Sequence, residues 1–382
     1  MFVKRPKSWR FWPILVLACF LLALPSANAA VNNVEWKKSF SFNDVGRSEA
    51  VATDKATGDV YVGGRTKRVS NSNGPFIRKY DSSGTVLWTQ DTTPATGEFG
   101  RVRAIAVGSQ NNFYTVEHYH MNGDEHSKFV KYDPDGNELW SKTIANADAR
   151  DIAIGPMGRL VVVGTVEGAL PNQNSNGGID AFIRKYSQRG GIYWTRQIGT
   201  NRTDRATAVV IDRRGRIFMG GNTQGALYGQ RNMGGSDVIV RKYSSRGGIY
   251  WTRQFGRPTH DLAAVLEVDR DSNAYVGGSM GTLSYLRKVD EQGNLEWHRL
   301  WGRQRVTGGA IDSEGNPYVV GESNKSSTTK AFVKKYNSEG RVVFSRDVAN
   351  GSSTGAAISS LDDLYVTGLM TARSFLAKFS GM

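Results

Sequence analysis

A Lys followed by a large apolar residue recurs seven times along this chain, at Lys79-Tyr80, Lys131-Tyr132, Lys185-Tyr186, Lys242-Tyr243, Lys288-Val289, Lys335-Tyr336 and Lys378-Phe379. The intervals are 52, 54, 57, 46, 47 and 43 residues. In its longest form the repeat is nearly verbatim: RKYSQRGGIYWTRQIG from Arg184 and RKYSSRGGIYWTRQFG from Arg241 differ at two positions. A period in this range, without helical spacing, belongs to an array or ring of small units that bury their faces against one another.

The unit reads as four short antiparallel strands. After the first six landmarks a polar residue opens a turn and Gly closes it three positions later, as at Asp81 and Gly84 or Ser244 and Gly247. A short polar side chain caps such a turn, and Gly supplies positive φ. The next strand carries an aromatic in each of these copies: Trp88, Trp140, Trp194, Trp251, Trp297 and Phe344. Two further strands rich in Val, Ile, Tyr and Phe follow, joined by tight connections such as Asp212 to Gly215. At the ends, Val34-Glu35-Trp36-Lys37 is a fourth strand without its first three, and Lys378-Phe379 ends a third strand without its fourth. The loose pieces complement each other, and pairing them removes two raw sheet edges. The expectation is an all-β, seven-bladed β-propeller of 28 strands in four-stranded antiparallel blades, closed by the N-terminal strand completing the last blade.

Two domains are expected: a signal peptide over residues 1–29 and the propeller over 30–382. Lys4, Arg5, Lys7 and Arg10 precede an apolar run from Phe11 to Leu24, followed by Ala27-Asn28-Ala29, the order of a secretory leader. The run is shorter than the roughly 20 residues of a membrane-spanning helix. An exported protein without a transmembrane segment follows, periplasmic, at the cell surface or extracellular. Cys19, the one cysteine, raises lipidation as a competing reading, but it lies inside the apolar run rather than at its end. Without the leader there is no cysteine for a disulfide, thiolate nucleophile or metal site. The net charge falls from +14 to +10 on loss of those four basic residues.

Gly177-Gly178-Ile179-Asp180-Ala181-Phe182-Ile183-Arg184-Lys185-Tyr186, the WTRQ segments and Gly220-Gly221-Asn222-Thr223-Gln224-Gly225-Ala226-Leu227 resemble the SBBP-type β-propeller repeat family of exported bacterial proteins. The resemblance covers residues 34 to 379 and is strongest in the two near-identical copies. It implies the propeller independently, and it implies no particular chemistry, because that family has no single activity and no shared catalytic motif.

Function is sought on the face with the longer connections, Arg65 to Pro75, Glu117 to Ser127, Val166 to Gly178 and Thr223 to Ser236. Counting back from each first-to-second-strand turn, Arg falls five or seven residues earlier at Arg47, Arg101, Arg103, Arg150, Arg205 and Arg305. Offsets differing by two put side chains on one side of a strand, so these six are the candidate anion-binding ring at the mouth of a central channel. Asp44, Glu98, Asp148, Asp151 and Asp204 lie close in sequence and would compete for them as local ion pairs. His118, His120, Asp124, Glu125 and His126 have some metal-like spacing in a single unit. The Trp series reads as packing. No nucleophile elbow or phosphate loop is present, so no catalytic residue, metal or cofactor is assigned. A monomeric, non-enzymatic binding or scaffold module is favoured, with an anionic polysaccharide or envelope protein as partner. Export and the lack of any motif argue against nucleic acid. The alternative is a propeller hydrolase or lyase using Asp124, Glu125 and His126.

Overall fold

Turn residues at fixed offsets cut the apolar segments into strands of mostly six to nine residues, and almost nothing in the chain is helical. A computed structural model describes residues 34–381 apart from 42–45, 67–72, 92–98, 122–123, 303, 325–327 and 372. The leader expected over 1–29, with Cys19, lies outside the described residues, as do Asp44 and Glu98.

The described residues begin with β1 (Val34–Phe40) and continue through five four-stranded antiparallel sheets. The first sheet holds β2 (Arg47–Thr53), β3 (Val60–Arg65), β4 (Pro75–Tyr80) and β5 (Val86–Asp91). The second holds β6 (Phe99–Val107), β7 (Phe113–Met121), β8 (Asp124–Tyr132) and β9 (Glu138–Ala145). The third holds β10 (Ala147–Ile154), β11 (Leu160–Glu167), β12 (Ile179–Tyr186) and β13 (Ile192–Ile198). The fourth holds β14 (Asp204–Ile211), β15 (Ile217–Thr223), β16 (Asp237–Tyr243) and β17 (Ile249–Phe255). The fifth holds β18 (Asp261–Val268), β19 (Ala274–Met280), β20 (Leu283–Val289) and β21 (Leu295–Gly302). The last is a seven-stranded sheet of β22 (Gln304–Ile311), β23 (Pro317–Ser323), β24 (Lys330–Tyr336), β25 (Val342–Ile358), β26 (Leu364–Met370), β27 (Arg373–Phe379) and β1.

The count therefore departs from the sequence expectation of seven separate four-stranded blades and 28 strands: six sheets and 27 strands are present among the described residues. The difference lies in β25, whose 17 residues serve two ladders. Val342 to Asn350 pair with β24 and Gly351 to Ile358 with β26, with no loop between them. The N-terminal strand does lie beside the C-terminal one: β1 runs antiparallel to β27, with Trp36 opposite Lys378 and Phe40 opposite Ser374. A second departure concerns Glu117 to Ser127, expected as a loop; Glu117–Met121 and Asp124–Ser127 extend β7 and β8 as a hairpin.

Alternation along β2, the enclosed run Val60-Tyr61-Val62 of β3, and Phe76, Ile77 and Tyr80 of β4 bury one sheet's face against the next. The second strands are almost wholly enclosed, as in Val60-Tyr61-Val62 and Leu160-Val161-Val162-Val163. The first strands touch in succession: β2 meets β6, β6 meets β10, β10 meets β14, β14 meets β18, β18 meets β22, β22 meets β25, and β25 meets β2.

The repeated motif is the joint between sheets. Its Lys stands opposite its aromatic across each outer ladder, as Lys185 does Trp194 and Lys242 does Trp251. The Lys242 ammonium and the Trp251 indole N–H both donate to the carbonyl of Glu291 in the next sheet's outer turn, at 2.8 and 3.0 Å. Lys185 and Trp194 donate in the same way to Ser245, and Lys79 and Trp88 to Pro134. The turn glycine then lies against the indole. Gly293 has φ +83, and a Cβ there would stand 2.8 Å from Trp251 Cδ2. Gly84 is placed likewise on Trp36, so β1 presents to the first sheet what an outer strand presents elsewhere.

Gly293→Ala should therefore destabilise the fold by about 1–3 kcal/mol through overpacking and backbone strain. In a Trp251→Ala background the clash is gone, and the added cost should fall to the strain alone, about 1 kcal/mol. Urea unfolding of the two single variants and the double variant measures this coupling; additive costs would contradict the joint.

Candidate functional site

Each first strand carries a register shift at the same place. It falls at Ser48/Ala50, Val102/Ala104, Ala149/Asp151, Ala206/Ala208, Ala263/Val265, Val306/Gly308 and Ser353/Gly355. The extra residue at such a bulge has no partner across the ladder, and the bulge bends the strand and re-aims a side chain. The seven extra residues are Glu49, Arg103, Arg150, Thr207, Ala264, Thr307 and Thr354, and all seven line one central cavity of about 360 Å³. Three of them tie neighbours together. Thr207 Oγ1 donates to Ala263 O (3.0 Å), Thr307 Oγ1 to Ser353 O (2.7 Å) and Thr354 Oγ1 to Ser48 O (2.9 Å). Each acceptor is the carbonyl just before the neighbouring strand's extra residue.

At the N-terminal ends of these strands the cavity widens into a second hollow of about 320 Å³. Arg47, Arg101, Arg103, Arg150 and Arg305 line it, together with Glu49, Glu322 and a set of Thr and Ser hydroxyls. The sixth sequence candidate, Arg205, lines an adjoining hollow with Asp148 and Arg150. Five guanidinium groups thus face two carboxylates in the mouth.

Of the acids weighed as competitors, Asp148 alone pairs with these arginines among the described residues. Arg103 Nη2 lies 3.1 Å from each of its oxygens, and Arg150 Nη2 2.7 Å from Oδ2. Burial raises the Asp148 carboxyl, but Arg103, Arg150 and His118 outweigh it and leave it lowered. Asp151 instead accepts from Val209 N and Ile152 N, and Asp204 from Thr200 and Thr223. Sequence reasoning missed two partners that do reach arginines. Glu322 faces Arg305 across the β22–β23 ladder at 3.5 Å, and Glu49 of the first sheet lies 3.9 Å from Arg101 of the second. Among the described residues Arg47 and Arg205 have no acid at ion-pair distance. Burial and the neighbouring guanidinium groups lower the Arg101 and Arg150 pKa values, yet arginine keeps its charge in proteins.

His118 is buried behind the mouth, its Nδ1 3.3 Å from Asp148 Oδ1. Burial pushes it down to about 4, with Arg103, Arg101 and Arg150 adding to the shift against the pull of Asp148, so it is neutral at physiological pH. His118, His120 and Glu125 line a separate hollow of about 170 Å³ with Arg101 and Phe99. Glu125 also lines the hollow that adjoins the mouth, with Asp148, Arg150 and Arg205, but neither it nor His126 lines the mouth itself. No group of three or more His, Cys, Asp or Glu side chains is placed to hold a metal among the described residues.

Two acids sit deeper in the central cavity, where equivalent positions hold small or aliphatic residues. Asp151 replaces Ala50, Ala104, Ala208, Val265, Gly308 and Gly355; Glu267 replaces Ala52, Ala106, Ala153, Val210, Ala310 and Ala357. Burial raises Asp151 to about 7 against its two backbone donors. Burial and then the charge of Asp151 raise Glu267 to about 8.

With this geometry in view, similarity to known proteins can be weighed. Residues 194–229 match the SBBP family, a beta-propeller repeat. That segment of the chain is an SBBP propeller repeat. Over 266 residues it is 23% identical to the regulatory protein FlaEY of Caulobacter vibrioides, a match covering 59% of this chain and 28% of that protein. The chain thus spans a little over a quarter of that relative. Among solved structures it resembles Chaetomium thermophilum Sqt1, with TM-score 0.56 and 10% identity over 89% of this chain and 96% of that one. It also resembles the WD40 propeller domain of Doa1, with TM-score 0.57 and 11% identity over 90% and 96%. At these identities the likeness establishes the fold, a β-propeller. No helix among the described residues is long and apolar enough to cross a membrane.

The deep acids give a pH test. A carboxyl whose folded pKa is raised favours the protonated folded form, so its stabilising contribution is lost as pH climbs from the ordinary 4.5 through about 8. Glu267→Gln should be near neutral at pH 4 and stabilising at pH 9, on the order of 2 kcal/mol. Urea midpoints of both proteins at the two pH values decide it; parallel pH dependence would count against a buried, uncompensated carboxyl.

Proposed function

We propose that this SBBP-repeat protein is an exported, monomeric, non-enzymatic binding module, a closed seven-bladed disc that engages an anionic partner at its arginine-lined mouth. On this reading the seven-stranded sheet is two blades sharing β25, and β1 completes the last of them. The succession of first-strand contacts, in which β25 returns to β2, supports the closure. Export rests on the basic, apolar and small-residue order of residues 4–29.

The observation that carries the binding reading is the convergence of five arginines on one cavity with two facing carboxylates. Such an excess of fixed positive charge in a concave, low-dielectric wall raises the local concentration of anions. The partner classes that fit are an anionic cell-surface polysaccharide and an envelope protein presenting acidic groups. Catalysis is not part of the proposal: the acid and base candidates Glu125 and His126 do not line the mouth cavity.

The test is retention of residues 30–382 on a heparin resin. The Arg47→Ala, Arg101→Ala, Arg305→Ala triple variant should elute at clearly lower salt than the parent, because each lost phosphate- or sulfate-type contact reduces the salt dependence. Elution of parent and variant at the same salt would overturn the assignment of the mouth as the binding surface.

A further inference from the structure

The mouth cavity is lined by polar residues alone and by both signs of charge. Arg47, Arg101 and Arg305 offer donors, whereas Glu49 and Glu322 offer only acceptors when ionised. Its own lining holds no aliphatic or aromatic side chain; aliphatic residues such as Val51, Ile105 and Val209 line only the deeper cavity below it. The two carboxylates repel a compact ligand charged on every side, such as a polyphosphate. A match to the whole lining needs one acidic group and several hydroxyls, the hydroxyls donating to Glu and accepting from Arg.

The wall also contains polar atoms that lack partners. Ser353 is fully buried, lines the mouth, and its hydroxyl has no hydrogen-bond partner among the described residues. The Nε atoms of Arg103 and Arg150 are buried and likewise unpartnered. Buried polar groups are ordinarily satisfied, and exceptions point to an absent water or ligand. Asp148 shows what these cations do with a carboxylate. Arg103 Nη2 spans both of its oxygens at 3.1 Å, Arg150 approaches at 2.7 Å, and His118 Nδ1 lies 3.3 Å away. The cluster grips a planar acid from within the chain, beside the open part of the cavity.

We infer that the mouth recognises a sugar acid, a single hydroxyl-rich unit bearing one carboxylate, such as the terminal uronic acid of an anionic polysaccharide. This rests on the anion-binding reading above and names its ligand. The volume of about 320 Å³ lies at the low end of the roughly 300–1,000 Å³ typical of ligand pockets, which suits a terminal unit entering end on rather than a chain laid across the face. The carboxylate pairs with Arg47, Arg101 and Arg305, and the ring hydroxyls donate to Glu49 and Glu322.

Isothermal titration calorimetry of residues 30–382 with D-glucuronate, D-glucose and inorganic phosphate tests the inference, beside heparin retention. D-glucuronate should bind saturably, with D-glucose and phosphate each at least about tenfold weaker, a loss expected when one set of wall groups is left unmatched. The isosteric Glu322→Gln variant adds a sign test. A sugar acid exchanges a charged hydroxyl acceptor for a weaker neutral one and binds several-fold more weakly, whereas a purely electrostatic sink binds more tightly once a negative charge is removed. Phosphate binding as tight as glucuronate, or tighter glucuronate binding by Glu322→Gln, overturns the inference. Heparin retention without saturable glucuronate binding overturns it and leaves the broader anion reading standing. Loss of both overturns both.

Discussion

The structure depends on one recurrent joint, the pair of donors that a Lys and a Trp of one outer ladder aim at a single carbonyl in the next sheet's turn. A Lys ammonium brought into a nearly enclosed site requires acceptors. Here it finds a carbonyl, as Lys242 does at Glu291, or an acid of its own sheet, as Lys335 does at Asp312 and Lys288 at Asp269. The indole covers the joint, and an arginine two positions on lies over its ring, as Arg253 does on Trp251 and Arg299 on Trp297. Where donor and acceptor sit on consecutive sheets, as at the carbonyls of Pro134, Ser245 and Glu291, each boundary asks for the same residues again. That is why the sequence repeats itself.

Fixing the outer edge fixes the centre. With the sheets held at their rims, the first strands are brought side by side, and each meets its neighbour through a bulge. The threonine hydroxyls that bridge successive bulges offset part of the cost of the disrupted ladder, since they satisfy carbonyls that would otherwise face an enclosed channel. The channel is graded in consequence. Guanidinium groups crowd its N-terminal end, three threonine hydroxyls share the bulge level with Glu49, Arg103, Arg150 and Ala264, and two carboxyls with raised pKa values lie deeper.

Much of this was legible in the sequence because its determinants are local. A polar residue and Gly at a fixed spacing specify a hairpin wherever they occur, and counting strands from both ends predicted the pairing of Trp36's segment with Lys378's. What escaped notice depends on register. The bulge leaves no compositional mark, since Glu, Arg, Thr and Ala all occupy it. Asn350-Gly351 reads as a turn but continues β25 straight into the next ladder. The arginine placements were inferred from offsets alone, and the six candidates do lie around one mouth and its annex. Of their acidic partners, Asp148 was legible and pairs with Arg150 along its own strand as well as with Arg103 across a sheet boundary, whereas Glu322 is reached across a ladder and Glu49 across a sheet boundary.

The unpaired residue of each bulge has a wider consequence. It belongs to no cross-strand pair, so the cost of exchanging it is that of the single tie its side chain makes, as with the hydroxyls of Thr207, Thr307 and Thr354. The seven such sites that line the central cavity form a palette whose members can be changed a few at a time. A lineage could thus retune what the hub prefers by single substitutions, without renegotiating the architecture that displays them.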